Sequence, residues 1–407
     1  MYSQIDPRLS HLSAEQIEEL ITRYYAGEDI SSLIQEFQVE CLPQQLHKLL
    51  PPQILHRVVC PHCHTAMVFQ RPARTSNRFS RKKVLCLNCG HIGEGNCNCQ
   101  GCALERERLL ERERQEKQSW VTEFCRKVQP AHPAIESVEE LTLRQAVALL
   151  ALSRACMYLQ SPGVEGFDPK EVHLNPLKHA TLPFTPGMEF GIRLIQELVS
   201  CRLMYVSEFS DPNAFVFNQD NFEGVQFELA GWKVRGNDPQ KLIHDIEHYA
   251  ANGELWPPSW KEEVESLWLD IAFAEAKEYF LYQAKQRALP DVSGKSLDAM
   301  LMNLLQDYSV SQCYRIIYAG AREAADFLVR TKCTRRHAGN YMIGACQRWA
   351  DHARAEHWDV AKYRRNYDLP RSMIDYVFFD TFLKIGDMGF KDNPKRMDLH
   401  AITKWYV

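Results

Sequence analysis

The chain has 407 residues, of which 45% are apolar and 25% charged, with 14 cysteines and a formal net charge of −4. One core seldom grows past about 300 residues, so two or three folding units are expected. The composition excludes wholesale disorder, a collagen-like fibre and a uniformly basic nucleic-acid coat. Arg144 and Arg154 interrupt the best apolar window, and the first ten residues carry Asp6 and Arg8 without an apolar run. A soluble, cytoplasmic protein without membrane spans is therefore expected.

Charge is distributed unevenly along the chain. Residues 1–40 sum to −6, residues 41–93 hold eight basic side chains and no carboxylate, and the remainder sums to −6. Residues 13–50 predict three short helices. Ser13 and Gln16 form a capping-box pattern, followed by Ile17, Leu20, Ile21 and Tyr24 on one face, with Gly27 as the stop. Asp29 can cap a second helix bearing Ile30, Leu33, Ile34 and Phe37. A third starts near Pro43, carries Leu46, Leu49 and Leu50, and ends at Pro51 and Pro52. The stretch 1–52 resembles a helix-turn-helix module. That resemblance implies a last helix in the major groove, with Gln44, Gln45, His47 and Lys48 meeting bases and phosphates. The first two helices are too acidic to lie on phosphate, so a trihelical docking module is the alternative.

Metal chemistry is the strongest local signal. Cys60-Pro61-His62-Cys63 and Cys86-Leu87-Asn88-Cys89 are two Cys-x-x-Cys turns, and opposed pairs of this kind supply four soft ligands for a tetrahedral Zn²⁺. Residues 53–103 resemble a zinc ribbon, with strands at 67–69 and 83–85 and a basic tip between them. Cys97, Cys99 and Cys102 follow closely and predict a second ion or an extension of the first, giving one or two Zn²⁺ per chain. His91 is the nearest fourth ligand in sequence, with His64 and His62 as alternatives. No carboxylate occurs in residues 41–93, so these sites read as structural rather than hydrolytic. Arg71, Arg74, Arg78, Arg81, Lys82 and Lys83, with Phe69 and Phe79 among them, form a candidate nucleic-acid surface.

The segment 104–135 reads as a charged helical linker, its Glu and Arg residues alternating through residue 117. Residues 136–407 read as a mainly helical domain with a small hairpin near 204–235. Strands are expected at 203–206, 214–217 and 225–229, an outline that weakly suggests a winged helix. Helices are expected at 239–251, 259–288, 296–307, 311–329 and 335–357, with the aromatics of the long second one in the core. The stretch from Arg330 to Arg371 holds ten basic and four acidic residues, a second candidate polyanion contact.

The expected fold class is mainly α with small β elements. The expected function is a zinc-stabilised nucleic-acid-binding regulatory or adaptor protein, DNA favoured over RNA, whose helical domain serves a partner or self-association. The composite layout is similar to that of bacterial mobile-element and phage-defence proteins. Two other classes stay open: a non-catalytic interaction scaffold, and a helical effector resembling HEPN-type ribonucleases through Arg330 with His337 or Arg126 with His132. The string His244-Asp245-Ile246-Glu247-His248, with Glu323 beyond it, matches an inverted zinc-protease pattern without further support.

Overall fold

Local sequence explains most of the helices in the computed structural model, which describes residues 5–74, 84–93, 95–128, 135, 137–156, 171–218, 221–290, 292 and 294–399. The chain divides into two compact units, Met1–Glu116 and Lys117–Val407. It is mainly α-helical with small sheets. Among the described residues no helix is long and apolar enough to cross a membrane.

In the first unit, α1 (Ala14–Ala26) starts with a reciprocal cap. The Gln16 N–H donates to Ser13 Oγ at 3.3 Å, and the Ser13 N–H donates to Gln16 Oε1 at 2.8 Å. Helix α2 (Ile30–Glu36) is capped by Asp29, which accepts from the Ser32 N–H at 2.9 Å. Pro43–Gln45 forms a 3₁₀ turn that passes into α3 (Leu46–Leu49), so the third helix is much shorter than a usual groove-reading helix. Leu9, Ile17, Leu20, Leu33 and Leu46 are fully buried and hold these pieces together. Arg23 clamps the outer face by donating to Glu28 and Glu36.

A three-stranded antiparallel sheet follows, in the order β1 (Gln53–Val59), β2 (Ala66–Phe69), β3 (Val84–Leu85). Phe69 pairs with Val84 and Val68 with Leu85, matching the strand pair expected at 67–69 and 83–85. Strand β1 is an addition to that expectation; it pairs Gln53 with Phe69 and Leu55 with Met67. The basic tip between β2 and β3, with Arg78, Arg81, Lys82 and Lys83, lies outside the described residues. Helix α4 (Gln100–Val128) carries the alternating charges; it begins before the linker expected at 104–135 and ends short of residue 135.

The second unit is organised around helices that are apolar on nearly all sides, the mark of a central position. Helix α5 (Leu143–Cys156) buries every residue from Ala146 to Ser153. Strand β4 (Val172–Leu174), helix α6 (Met188–Ser200) and strand β5 (Met204–Val206) come next, then a hairpin of β6 (Phe215–Asn218) and β7 (Asn221–Val225), and then β8 (Trp232–Val234). The last strand expected at 225–229 is instead β7, four residues earlier, and residues 227–229 form a turn. β5 pairs with β8 in a sheet of order β4-β8-β5, whereas the hairpin forms its own two-stranded sheet. That pairing fits a plain α+β piece rather than a winged helix.

Helices α7 (Pro239–Ala251), α8 (Pro258–Gln286), α9 (Lys295–Leu304), α10 (Val310–Thr331) and α11 (Arg335–Ala355) reproduce the expected bundle to within a few residues. Beyond them, α12 (Met373–Asp375) continues into a π-helical stretch, Tyr376–Phe382, and α13 (Met388–Lys391) follows. These short pieces complete the core. Phe378, Phe379, Phe382 and Phe390 are buried with Trp260 and Trp268, and Trp268 donates its indole N–H to the Gly389 carbonyl at 3.1 Å.

Candidate metal centres

The two Cys-x-x-Cys turns are built alike. In the first, the Cys60 N–H donates to the Thr65 carbonyl at 2.9 Å, and the His64 N–H to the Cys60 carbonyl at 3.0 Å. In the second, the Cys86 N–H donates to the His91 carbonyl at 2.8 Å, and the Gly90 N–H to the Cys86 carbonyl at 2.9 Å. The residue after the second cysteine is left-handed in both, His64 at φ 58° and Gly90 at φ 71°. Glycine takes that conformation without strain, and histidine is among the residues that tolerate it. Antiparallel pairing of β2 with β1 and β3 then sets the turns face to face.

The four sulfurs of Cys60, Cys63, Cys86 and Cys89 lie within 4.8 Å of one another. Cys60–Cys89, Cys63–Cys86 and Cys63–Cys89 are 3.5, 3.3 and 3.7 Å apart. A tetrahedron with metal–sulfur bonds of about 2.3 Å has edges of about 3.8 Å, so the donor set fits one Zn²⁺-sized ion. All 14 cysteines are free thiols, which leaves every one of these sulfurs available. The Thr65 hydroxyl, 3.0 Å from Cys63 Sγ, is the main cause that draws the Cys63 thiol down to about 5, toward the thiolate a metal requires.

A second group consists of His62, His91, Cys99 and Cys102, whose ligand atoms also fall within 4.8 Å of one another. His62 Nε2 lies 3.1 Å from Cys102 Sγ; His91 Nδ1 lies 3.2 Å from Cys102 Sγ and 3.7 Å from Cys99 Sγ. Mixed nitrogen–sulfur tetrahedra have edges of about 3.6 Å, so this set fits as well. Of the three histidines weighed from sequence, His91 and His62 both reach the cluster. Cys97, expected as a ligand, stands beside the group and not within it. Its sulfur accepts the Cys99 and Ile92 N–H groups at 3.5 and 3.2 Å, which pull its thiol down to about 6. The two clusters of this unit could each hold a metal ion.

The residues expected at nucleic acid divide into three sets. Gln44, Gln45 and Lys48 are exposed on the 3₁₀ turn and α3. Arg71 and Arg74 instead brace the sheet module against the helices: Arg71 Nε donates to the Pro51 carbonyl at 2.9 Å, and Arg74 donates to the Glu28 and Tyr24 carbonyls. The Arg74 guanidinium also sits 5.4 Å from the Tyr24 ring centroid, and the Tyr25 hydroxyl donates to the Pro72 carbonyl at 2.6 Å. The third set, Arg78, Arg81, Lys82 and Lys83, belongs to the undescribed tip.

In the second unit the protease-like string does not assemble. Glu247 pairs with Arg154 at 3.0 Å, Glu323 accepts from Tyr341 and Arg348, and no metal group forms there among the described residues. His337 packs edge-on against Phe327, while His132 of the other Arg–His pair lies outside the described residues. Much of the basic stretch 330–371 is internally compensated. Arg348, Arg354 and Lys362 pair with Glu323, Asp307 and Asp392.

The tightest compensation lies in a buried network that periodicity did not reveal. Glu275 and Asp375, 5% and 1% exposed, are bridged by Arg365, which reaches Asp375 at 2.8 Å and also donates to Glu275. Arg371 donates to Asp375 and grips both oxygens of Asp380 at 2.7 and 2.8 Å. Burial holds the Glu275 carboxyl above the ordinary range, with the Arg365 guanidinium pulling against it. A glutamate between Ala274 and Ala276 on a buried helix face was the available signal. The chain matches no protein-family model, no curated protein and no solved structure.

Proposed function

We propose that the first unit is a zinc-stabilised nucleic-acid-binding module, DNA favoured over RNA, within a regulatory or adaptor protein whose second unit engages a partner or itself. The observation that carries this reading is two clusters of soft donors beside a segment, 41–93, with eight cations and no carboxylate. Thiolate-rich tetrahedral sets select Zn²⁺ among abundant divalent ions. Closed four-ligand sets leave no position for a reacting water, which favours a structural over a hydrolytic role. Because Arg71 and Arg74 are engaged with the helices, contact with phosphate falls to Lys48 and the tip residues Arg78, Arg81, Lys82 and Lys83. Gln44 and Gln45, exposed at the start of the short third helix, are then the candidates for base edges. The resemblance to a helix-turn-helix followed by a zinc ribbon belongs to the same proposal.

The test is fluorescence anisotropy with labelled duplex DNA, single-stranded DNA and RNA across a salt series. Binding should weaken steeply with salt, and replacing Arg78, Arg81, Lys82 and Lys83 by glutamine should flatten the slope by up to about four, roughly one per phosphate contact. Absent binding, or binding that ignores both salt and these substitutions, overturns the proposal in favour of an interaction scaffold.

A further inference from the structure

We propose that His62 is a ligand of a second metal ion, so that the turn Cys60–Cys63 serves both ions and the second site forms only on a folded first site. The inference rests on the metal-binding reading above and adds a hierarchy to it.

Four observations converge. In the first turn, Cys60 and Cys63 direct their sulfurs into the four-sulfur group, while His62, between them, places Nε2 3.1 Å from Cys102 Sγ. The second turn does the same: His91, two residues after Cys89, places Nδ1 3.2 Å from that sulfur. Each turn of the first site thus sends one imidazole toward the same pair of cysteines. The two rings meet edge to face with centroids 4.8 Å apart, as two ligands converging on one ion would. Third, Gly101 lies between Cys99 and Cys102, and a Cβ built there would stand 2.3 Å from His62 Cγ. Glycine is a poor helix residue, yet here it opens the space into which the His62 ring fits. Finally, the ligand atoms of His62, His91, Cys99 and Cys102 come together without Cys97, whose sulfur stays outside the group, so four donors are assembled without it.

The dependence runs one way. The first site draws no ligand from residues 97–102, so it can fill alone. The second borrows half its donors from turns whose conformation the first ion fixes, since metal binding and folding of such small units are one process.

The experiment measures zinc per chain by atomic emission, and the visible absorption of Co²⁺ added to metal-free protein, on the full-length chain. Wild type should carry two ions. His62→Ala should carry one, with the first site's four-thiolate Co²⁺ spectrum intact. Cys97→Ser should keep two. Cys60→Ser combined with Cys63→Ser should lose both ions, although every donor atom to the second ion remains. Gly101→Ala, which favours a helix, should nevertheless weaken the second ion at least tenfold. One ion in Cys97→Ser with two in His62→Ala overturns the ligand assignment. A second ion retained by the Cys60/Cys63 double variant overturns the hierarchy. Wild type with one ion removes the second site while leaving the first, and wild type with none removes the metal reading itself.

Discussion

The two units reach stability by different means. In the second, α5, α8, the bundle helices and the C-terminal π-helical stretch share one continuous apolar core, in which Trp260, Trp268, Phe280 and Phe378 are fully buried. In the first, the helices enclose a small cluster around Leu20 and Leu33, and among the described residues the sheet module buries only Cys60, Met67, Val68, Cys86 and Cys97. A module with so little apolar burial cannot offset the entropy of ordering its chain. Coordinated ions can supply what apolar area does not, since structural zinc contributes about 10–16 kcal/mol to the folding of comparable small modules. The contrast to be tested is whether sulfur, through the ions its two clusters could hold, does in the first unit what leucine and tryptophan do in the second.

Metal removal should break that contrast most visibly. A strong chelator should abolish the ordered sheet module, seen as loss of dispersed amide signals from residues 53–69 in an NMR spectrum, while the melting transition of the second unit stays in place. Persistence of those signals in metal-free protein would show that the module folds on its apolar contacts, and the contrast would fail.

The next effect belongs to the second unit. Arg365→Met removes the cation that Glu275 and Asp375 share, leaving Asp375 to Arg371 alone and the buried Glu275 without an ionic partner. Breaking a buried pair in this way costs about 3–5 kcal/mol. Urea denaturation followed by tryptophan fluorescence measures it, because Trp260 and Trp268 lie in that core. Adding Glu275→Gln and Asp375→Asn should recover part of the loss. A loss below about 1 kcal/mol would mean that the network is solvated rather than buried.

What could be read from sequence follows the range of the interaction concerned. The cysteine turns were legible because their chemistry is encoded within four residues, and the caps at Ser13 and Asp29 because each needs only three. Helices α7 to α11 were legible from apolar spacing. The short third helix was bounded correctly by Pro43 and Pro51, but nothing local distinguishes its opening 3₁₀ turn from an α-turn. Strand β1 is hard to read locally because its residues are largely exposed, so no alternation marks it, and among the described residues its only partner is β2. Past residue 357 the pattern fails for a different reason. Val377, Phe378, Phe379 and Phe382 are all buried in a π-helical stretch, which wraps apolar residues without the 3.6 period. The convergence of His62 on Cys102, forty residues away, depends on strand pairing that no local pattern contains.

Within the first unit a smaller test separates apolar and polar contributions from those of the ions. Ser13→Ala removes one half of the reciprocal cap of α1 and should lower the stability of the helical cluster by about 1 kcal/mol. Hydrogen exchange of the α1 amides should record that loss without any change in metal content. A drop in bound metal would instead show that the helices and the sheet module fold as one cooperative body, joined through Arg71 and Arg74.

The smallest effect concerns acid, where both units weaken through different groups. Protons compete with metal for thiolate and imidazole, so acid loss in the first unit must coincide with metal release. In the second unit His173, on β4, is buried with Ser207 3.2 Å from Nδ1 and Glu171 3.1 Å from Nε2. Lys233, on β8, faces the same spot and pairs with Glu171 and Glu208. Burial lowers the imidazole below its ordinary value near 6.5, Lys233 adds to that, and Glu171 and Glu208 pull the other way. The folded state therefore binds this proton more weakly than the unfolded chain does. Its contribution is complete above about pH 6.5 and is lost as pH falls through the depressed value. Urea midpoints of the second unit between pH 7.5 and 5 should show that decline with no metal released, and His173→Gln should flatten it. An unchanged slope would place the acid sensitivity of this unit elsewhere. A slope that tracks metal release would mean that the two units do not lose stability independently.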